Sequence, residues 1–472
     1  MSLEDRLYPL LTLYERLPQR VRAAIGGTYR RLPKRWRQGT RYDEFVALAR
    51  SAEEWTEEQL REYQLTQLRT VLTHAAETCP FYRDRFAAAG FQPSRLRSLD
   101  DLAGCPPTTK RDLLEHLPDM VSARYPPSQR LYLTTGGSTG VPVGFYLERG
   151  VSRPKEQAFL EAMWRRAGYF DAARLAVIRG YVTSDRARGS ITSYDATRDW
   201  LMLSSYHLSP ERYPEYVSAL ERFQPDFLHA YPSAALQLAG FLERAGETLR
   251  VTLRGVLCGS ERLTLPQKRL LDHVFRCRVY RWYGHSERVV LAGEGRRSEL
   301  FYFFPQYGFV ELGPPNEEGL CEVIGTSFHN LAMPLVRYHT GDFVRPATGA
   351  DGARELPWLA AADVVGREQE FLVSATGRRI SLTAFNMHDD VFDHLLAVQF
   401  YQDRNGVAEF RYVAGPHFHS SRLSAIERRV RQKLGDDFQV EYRAVSEVEK
   451  TPRGKHRWLV SRLPGEGAPV TS

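Results

Sequence analysis

With 472 residues, 43% of them hydrophobic, the chain is long enough to bury a full core and to divide into two or more structural units. Its 26% charged content is ordinary for a soluble protein and excludes a disordered or low-complexity chain. The net charge of +7 is local: residues 1–40 hold nine Arg or Lys against three Asp or Glu, so the remainder is nearly balanced and does not read as a nucleic-acid binder.

The longest uncharged run, residues 131–147, contains Gly136, Gly137, Gly140, Pro142 and Gly144, a composition that excludes a membrane-spanning helix. Glu4 and Asp5 stand near the start and no small-residue cleavage site follows an apolar core, so no secretory signal is expected and a cytoplasmic location is. Cys79, Cys105, Cys258, Cys277 and Cys321 are odd in number and widely spaced, which predicts reduced, buried thiols rather than a disulfide framework or a zinc site. The basic N-terminal segment carries Leu10, Leu11, Leu13, Tyr14, Leu17, Val21 and Ile25. It suits either a peripheral contact with an anionic membrane or packing of its apolar side on the rest of the chain, and the second is the expectation.

In chain order, apolar residues recur at helical spacing over 56–91 (Leu60, Tyr63, Leu65, Leu68, Val71, Leu72, Ala75), with Pro80 closing the run. From residue 131 short β-rich runs at 131–133, 175–178, 227–230, 256–258 and 279–283 alternate with helical stretches at 154–167, 213–222 and 233–244, the pattern of a layered α/β domain. Strands dominate 301–345, with turns expected at Pro314–Pro315–Asn316 and Thr340–Gly341. Strands at 398–402, 409–413 and 439–443 and a helix over 421–434 form a last group. The fold class predicted is α/β, α+β overall. A large multi-layer N-terminal domain, residues 1–368, has sheets flanked by helices and a helical lead-in over 1–100. A small mobile C-terminal α+β domain, residues 369–472, follows a joint near 366–370.

The segment TTGGSTGVPVG, from Thr134 to Gly144, places four glycines and four hydroxyl residues directly after an apolar strand. Such a loop presents backbone N–H groups and hydroxyls to phosphate oxygens without side-chain obstruction. It is not the P-loop of NTPases, since no lysine occurs between Thr134 and Glu148. The stretch 136–140 fits the nucleophile elbow of α/β-hydrolases, with Ser138 as nucleophile. That reading fails because an elbow leads straight into a helix, whereas residues 142–147 read as a second strand of a hairpin.

This loop and several later motifs resemble, in order, those of the adenylate-forming superfamily of acyl-CoA synthetases, nonribosomal peptide adenylation domains and luciferase-like enzymes. The nearest similarity is to its phenylacetate–CoA ligase-like branch with capsule-biosynthesis CapK-type proteins. LRTVLTHAAETCPFYRDRF (68–86) and PPTTKRDL (106–113) are similar to the start of that branch, so the resemblance spans nearly the whole chain. It implies that Thr134, Thr135, Gly136, Gly137, Ser138, Thr139 and Gly140 close on the ATP phosphates. Relatives carry a lysine beside the loop's proline; here Val141 and Val143 flank Pro142, so that contact is missing or comes from elsewhere.

The resemblance further implies that Gly259, Ser260 and Glu261 line the adenine pocket. In Tyr283–Gly284–His285–Ser286–Glu287, Tyr283 stacks on adenine beside Gly284, Ser286 bonds the α-phosphate and Glu287 holds Mg²⁺. Those residue types suit those tasks. RYHTGD (337–342) is similar to the ribose-binding motif, with Asp342 accepting from both ribose hydroxyls. Gly366–Arg367 resembles the hinge-proximal pair, Arg367 lying near ribose and phosphate and Glu370 standing at the hinge where relatives often have Asp. KTPRGKHR (450–457) resembles the C-terminal loop whose lysine, here Lys455, enters the site during adenylation, where a cation is needed as pyrophosphate leaves.

The implied function is ATP- and Mg²⁺-dependent activation of a small-molecule carboxylic acid as acyl-AMP, then acyl transfer. CoA is the first expectation for the acceptor, a carrier protein's phosphopantetheine the second and an amine the third. The walls near Tyr231–Pro232–Ser233, Gly259 and Tyr283 suit a flat or medium-sized acid. The rival reading is a non-catalytic nucleotide-binding homologue, motivated by Val141 and Val143.

Overall fold

The computed structural model describes residues 14, 17–135, 143–180, 190–365, 371–382, 392, 395–414, 418–449 and 458–463. Helices come first: α1 Gln19–Arg31, α2 Lys34–Gln38, α3 Thr40–Ser51, α4 Glu57–Thr78, α5 Pro80–Ala88 and α6 Lys110–Met120. Thr56 caps α4 reciprocally with Gln59. Pro80 does more than close the run. It occupies the first turn of α5, where its missing N–H is one of the groups a helix leaves unbonded anyway.

The described part of the basic segment packs on the chain, but through residues other than Val21 and Ile25; Leu10, Leu11 and Leu13 lie outside the described residues. Gly26 of α1 abuts Ala196 and Thr197, Arg30 pairs with Asp199 at 2.6 Å, and Lys34 reaches Glu161 at 2.8 Å. Val21 and Ile25 stay exposed, because only the glycine lets the helix backbone approach that closely.

Strands β1 (Arg130–Thr135) and β2 (Val143–Glu148) form the expected antiparallel hairpin, with Thr134 opposite Gly144. Tyr132 lies across Gly144, where a Cβ would collide with its ring. The chain continues through α7 (Ser152–Arg165), β3 (Leu175–Arg179), β4 (Thr192–Asp195), β5 (Trp200–Ser204), α8 (Tyr213–Phe223), β6 (Phe227–Ala230), α9 (Pro232–Ala245), β7 (Gly255–Gly259), α10 (Leu265–Phe275) and β8 (Val279–Gly284). Then follow β9 (Leu291–Glu294), β10 (Phe301–Phe303), β11 (Gly308–Leu312), β12 (Cys321–Ser327), β13 (Tyr338–Pro346) and β14 (Ala360–Val364).

Twelve of these strands make one sheet, ordered β11-β12-β13-β14-β10-β9-β8-β7-β6-β3-β5-β4. From β8 to β5 the pairing is parallel, as the alternation with helices requires; the other pairs are antiparallel. Its parallel strands are apolar on both faces. Leu175, Val177, Phe227 and Leu257 pack in the layer containing α3 and α7, while Ala176, Ile178, Leu228 and Val256 pack with α8, α9 and α10.

Thr340–Gly341 is not a turn but part of β13. Two successive residues paired on β12, Glu322 and Ile324, face Phe343 and His339, so β13 bulges between them, with Gly341 at φ 73°. A bulge needs the same small, flexible residues as a turn, which is why the sequence pattern misleads there.

After Val365 come β15 (Phe371–Val373), β16 (Arg379–Ser381), β17 (Leu395–Arg404), β18 (Val407–Ala414), α11 (Leu423–Leu434), β19 (Gln439–Ala444) and β20 (Leu459–Ser461). β19-β18-β17-β20 is a separate four-stranded sheet with α11 on one face, giving the smaller C-terminal α/β domain. The expected joint at 366–370 lies outside the described residues. Tyr206, from the segment after β5, is buried in this domain's core cluster. No helix among the described residues is long and apolar enough to cross a membrane. The five cysteines are free, and all but Cys277 are buried.

Candidate functional site

β8 and β13 belong to the same sheet, and their motifs meet through two reciprocal hydrogen bonds. The Tyr283 hydroxyl donates to Asp342 Oδ2 at 2.9 Å. The Tyr338 hydroxyl donates to Glu287 Oε1 at 3.0 Å. Each carboxylate is thus held by a tyrosine from the other motif. The β13 bulge explains how Asp342 is presented: its own N–H donates to Thr340 Oγ1, while Gly341 donates to Glu322.

Glu287 is buried, and its second oxygen, Oε2, lies 3.0 Å from His285 Nδ1. Burial opposes its ionisation. That effect is outweighed by the hydrogen bond and field of His285 and by the charge of Lys110, so the carboxyl is held well below its usual range. Lys110 is the first residue of α6, whose N-cap Thr109 follows Thr108, which bridges to Tyr338. This brings the PPTTKRDL segment beside Glu287. Among the described residues no group of three or more His, Cys, Asp or Glu converges as a metal cage. One ionised carboxylate with free lone pairs nevertheless fits a Mg²⁺ that takes its other ligands from phosphates and water.

Arg337, which opens the second motif, points elsewhere. It forks onto Glu311 at 2.9–3.2 Å and donates to the Ala103 and Cys105 carbonyls, tying the edge of the sheet to the segment before α6. Ser286 and Gly284 are half-buried beside Tyr283.

Gly259, at the end of β7, lies under the indole of Trp282, where a Cβ would overlap the ring. Ser260 has φ 70° and accepts from Arg179 at 2.5 Å. Both Glu261 oxygens are taken up by Ser233, through its N–H at 2.8 Å and its hydroxyl at 3.1 Å. Glu261 therefore fixes the start of α9.

Thr134 is buried at the end of β1, and the backbone of Thr135 pairs with Val143. Gly136, Gly137, Ser138, Thr139, Gly140, Arg367, Glu370 and Lys455 lie outside the described residues. Val143 is a core residue packed with Phe145 and Leu147, so a lysine there would be buried among apolar side chains. His285, Tyr338, Lys110, Arg179 and His229 were not singled out by the sequence. Lys110, His285 and Tyr338 stand within quoted motifs, a signal that could have found them; Arg179 and His229 left none.

No family model matches the chain. It is 30% identical over 329 residues to a phenylacetate–coenzyme A ligase of Pseudomonas putida, covering 66% of this chain and 72% of that protein. Over 356 residues it is 26% identical to the phenylacetate–coenzyme A ligase of Escherichia coli K12, covering 72% and 78%. Protein CapK of Staphylococcus aureus is 22% identical over 366 residues, covering 76% and 80%. Among solved structures, a 2-hydroxyisobutyryl-CoA ligase in complex with 2-HIB-AMP and CoA has a TM-score of 0.53 at 18% identity, covering 88% of this chain and 92% of that one, a likeness of fold. A relative at 30% identity, matched over 72% of its length, and a fold shared along nearly the whole chain place this protein in the phenylacetate–CoA ligase-like branch of the adenylate-forming superfamily, among the acid–thiol ligases.

Proposed function

We propose that the protein binds ATP and a small carboxylic acid, forms acyl-AMP with release of pyrophosphate, and transfers the acyl group to the thiol of CoA. The observation that carries this reading is the reciprocal pairing of Tyr283 with Asp342 and of Tyr338 with Glu287, which presents two carboxylates with different partners in one place. Asp342, steadied by Tyr283, would accept from the ribose hydroxyls. Glu287, kept ionised, would hold Mg²⁺, which when bound neutralises phosphate charge. Gly259, Ser260 and Glu261 would border the adenine.

The acid's carboxylate oxygen attacks the α-phosphorus as the bond to pyrophosphate breaks. The thiolate later attacks the acyl carbon and AMP leaves. Lys455 would supply the cation for the first step, and the glycine loop 134–140 the backbone N–H groups around the phosphates. Rotation of the C-terminal domain about 366–370, with Arg367 and Glu370 at the division between residues 1–368 and 369–472, would separate the two half-reactions. A cytoplasmic location agrees with five unpaired cysteines.

The test is pyrophosphate release with aryl and aliphatic acids, hydroxylamine as trap, and CoA, a phosphopantetheinylated carrier or an amine as acceptor. Acid-dependent release that falls about 100-fold or more in Lys455→Ala is expected. ATP binding without release for any acid would favour the non-catalytic reading instead.

A further inference from the structure

At the carboxyl ends of four adjacent parallel strands, β3, β6, β7 and β8, alternation places Arg179, His229, Gly259 and Trp282 on one face. It is the face that carries Val177, Phe227, Leu257 and Tyr280 deeper in the sheet. Ligands of open α/β sheets sit outside such strand ends. Here the described lining is rich in donors.

The Arg179 guanidinium donates to His229 Nε2 at 2.7 Å and to Ser260 Oγ at 2.5 Å. It lies over the Tyr231 ring at 4.5 Å and near that of Trp282 at 5.7 Å. Arginine has five N–H donors, and two of them reach partners among the described residues. None of the described carboxylates forms an ion pair with it; the nearby Glu261 is committed to Ser233. Because His229 Nε2 accepts from Arg179, its proton is on Nδ1, and that atom is buried with no hydrogen-bond partner. Burial and the neighbouring guanidinium keep this imidazole neutral. The indole Nε1 of Trp282 is likewise buried without a partner. A half-buried guanidinium between aromatic rings, with donors to spare, is the electrostatic complement of an anion. Its planar fork fits a carboxylate bidentately.

Resting on the proposed acid-activating function, we propose that Arg179 is a specificity-determining residue. It recognises a second anionic group, a carboxylate at the far end of a short or aryl acid, and His229 and Ser260 fix its guanidinium. The substrate class is accordingly a dicarboxylic acid, activated at one end and gripped at the other.

The experiment compares matched pairs: phenylacetate with 4-carboxyphenylacetate, and hexanoate with adipate. Pyrophosphate release is read for the wild type, Arg179→Met and Arg179→Lys, and calorimetric binding of each acid is read without ATP. The wild type is expected to prefer each diacid in kcat/KM by on the order of 10- to 100-fold, the worth of a hydrogen bond to a charged group. Arg179→Met should abolish that preference by raising KM for the diacids far more than for the matched monoacids, and Arg179→Lys should restore part of it. Turnover of the acids with no diacid preference, or an equal loss for both members of a pair in Arg179→Met, overturns the inference while leaving acid activation intact. If no acid is turned over, the functional reading is what fails. Calorimetry then decides the inference separately: diacid binding that depends on Arg179 supports it, and its absence in the wild type overturns it.

Discussion

The Tyr283 hydroxyl donates a 2.9 Å hydrogen bond to Asp342 Oδ2, joining a residue of β8 to one presented by the bulge of β13. Tyr283 is 9% exposed, so its ring is fixed between the Phe303 and His285 rings while its hydroxyl orients the carboxylate. If Asp342 grips the ribose, Tyr283→Phe removes only this orientation. The KM for ATP should rise by roughly 5- to 10-fold with kcat nearly unchanged, the net worth of one hydrogen bond. Asp342→Ala should cost considerably more. Steady-state kinetics at varied ATP separates the two.

Glu287 carries a prediction about acid stability. Its carboxyl is held below the ordinary value of 4.5 in the folded chain, so it adds stability that is present above that pH and lost as pH falls through and below it. Glu287→Gln keeps the size and can still accept from Tyr338, but has no such titration. Urea unfolding from pH 6 to pH 3 should show a smaller loss of stability in the variant than in the wild type. At neutral pH the variant should also demand more Mg²⁺ for pyrophosphate release.

Lys155 makes stability depend on pH in the same sense, but over a more alkaline range and because burial disfavours its charged form. It is 2% exposed, donates to the Arg288 carbonyl at 3.0 Å and lies 3.6 Å from the centre of the Tyr307 ring. Burial lowers its pKa from 10.5 to about 7, Glu156 opposing the shift and Arg288 adding to it. Between those values the unfolded chain binds more protons than the folded one, so stability rises with pH, by at most about 1.4 kcal/mol per unit. Lys155→Met should flatten this contribution, visible as a pH-dependent difference in unfolding free energy between pH 7 and pH 9.

Gly259→Ala places a methyl group on the Trp282 indole. Overpacking of this kind costs about 1–3 kcal/mol. The displaced ring would also crowd Arg179, whose guanidinium lies 5.7 Å from its centre. A lowered Tm together with a raised KM for the acid is expected; an unchanged Tm and KM would show that Trp282 yields freely.

Most elements were legible before the fold was known. The strand at 227–230 and the helix at 213–222 fall within a residue of β6 and α8, because short apolar runs bounded by polar turns have one obvious burial solution. Thr340–Gly341 was not legible, since a turn and a bulge draw on the same residues and only the pairing of β13 with β12 distinguishes them. The outward face of α1 was also hidden, because the contact is made by Gly26, a residue with no side chain to announce it.

Order and spacing of motifs along the sequence determined the family, the alternating α/β architecture and the candidate carboxylates Glu287 and Asp342. These properties are written in single residues and local periodicity, which the chain carries whether folded or not. Tertiary structure alone decided which tyrosine holds which carboxylate, that Val143 belongs to the core, and that Arg179, His229 and Trp282 meet at one end of the sheet. The residues in those contacts are separated by up to about one hundred positions, and their neighbourhood follows from strand order, which no local pattern encodes.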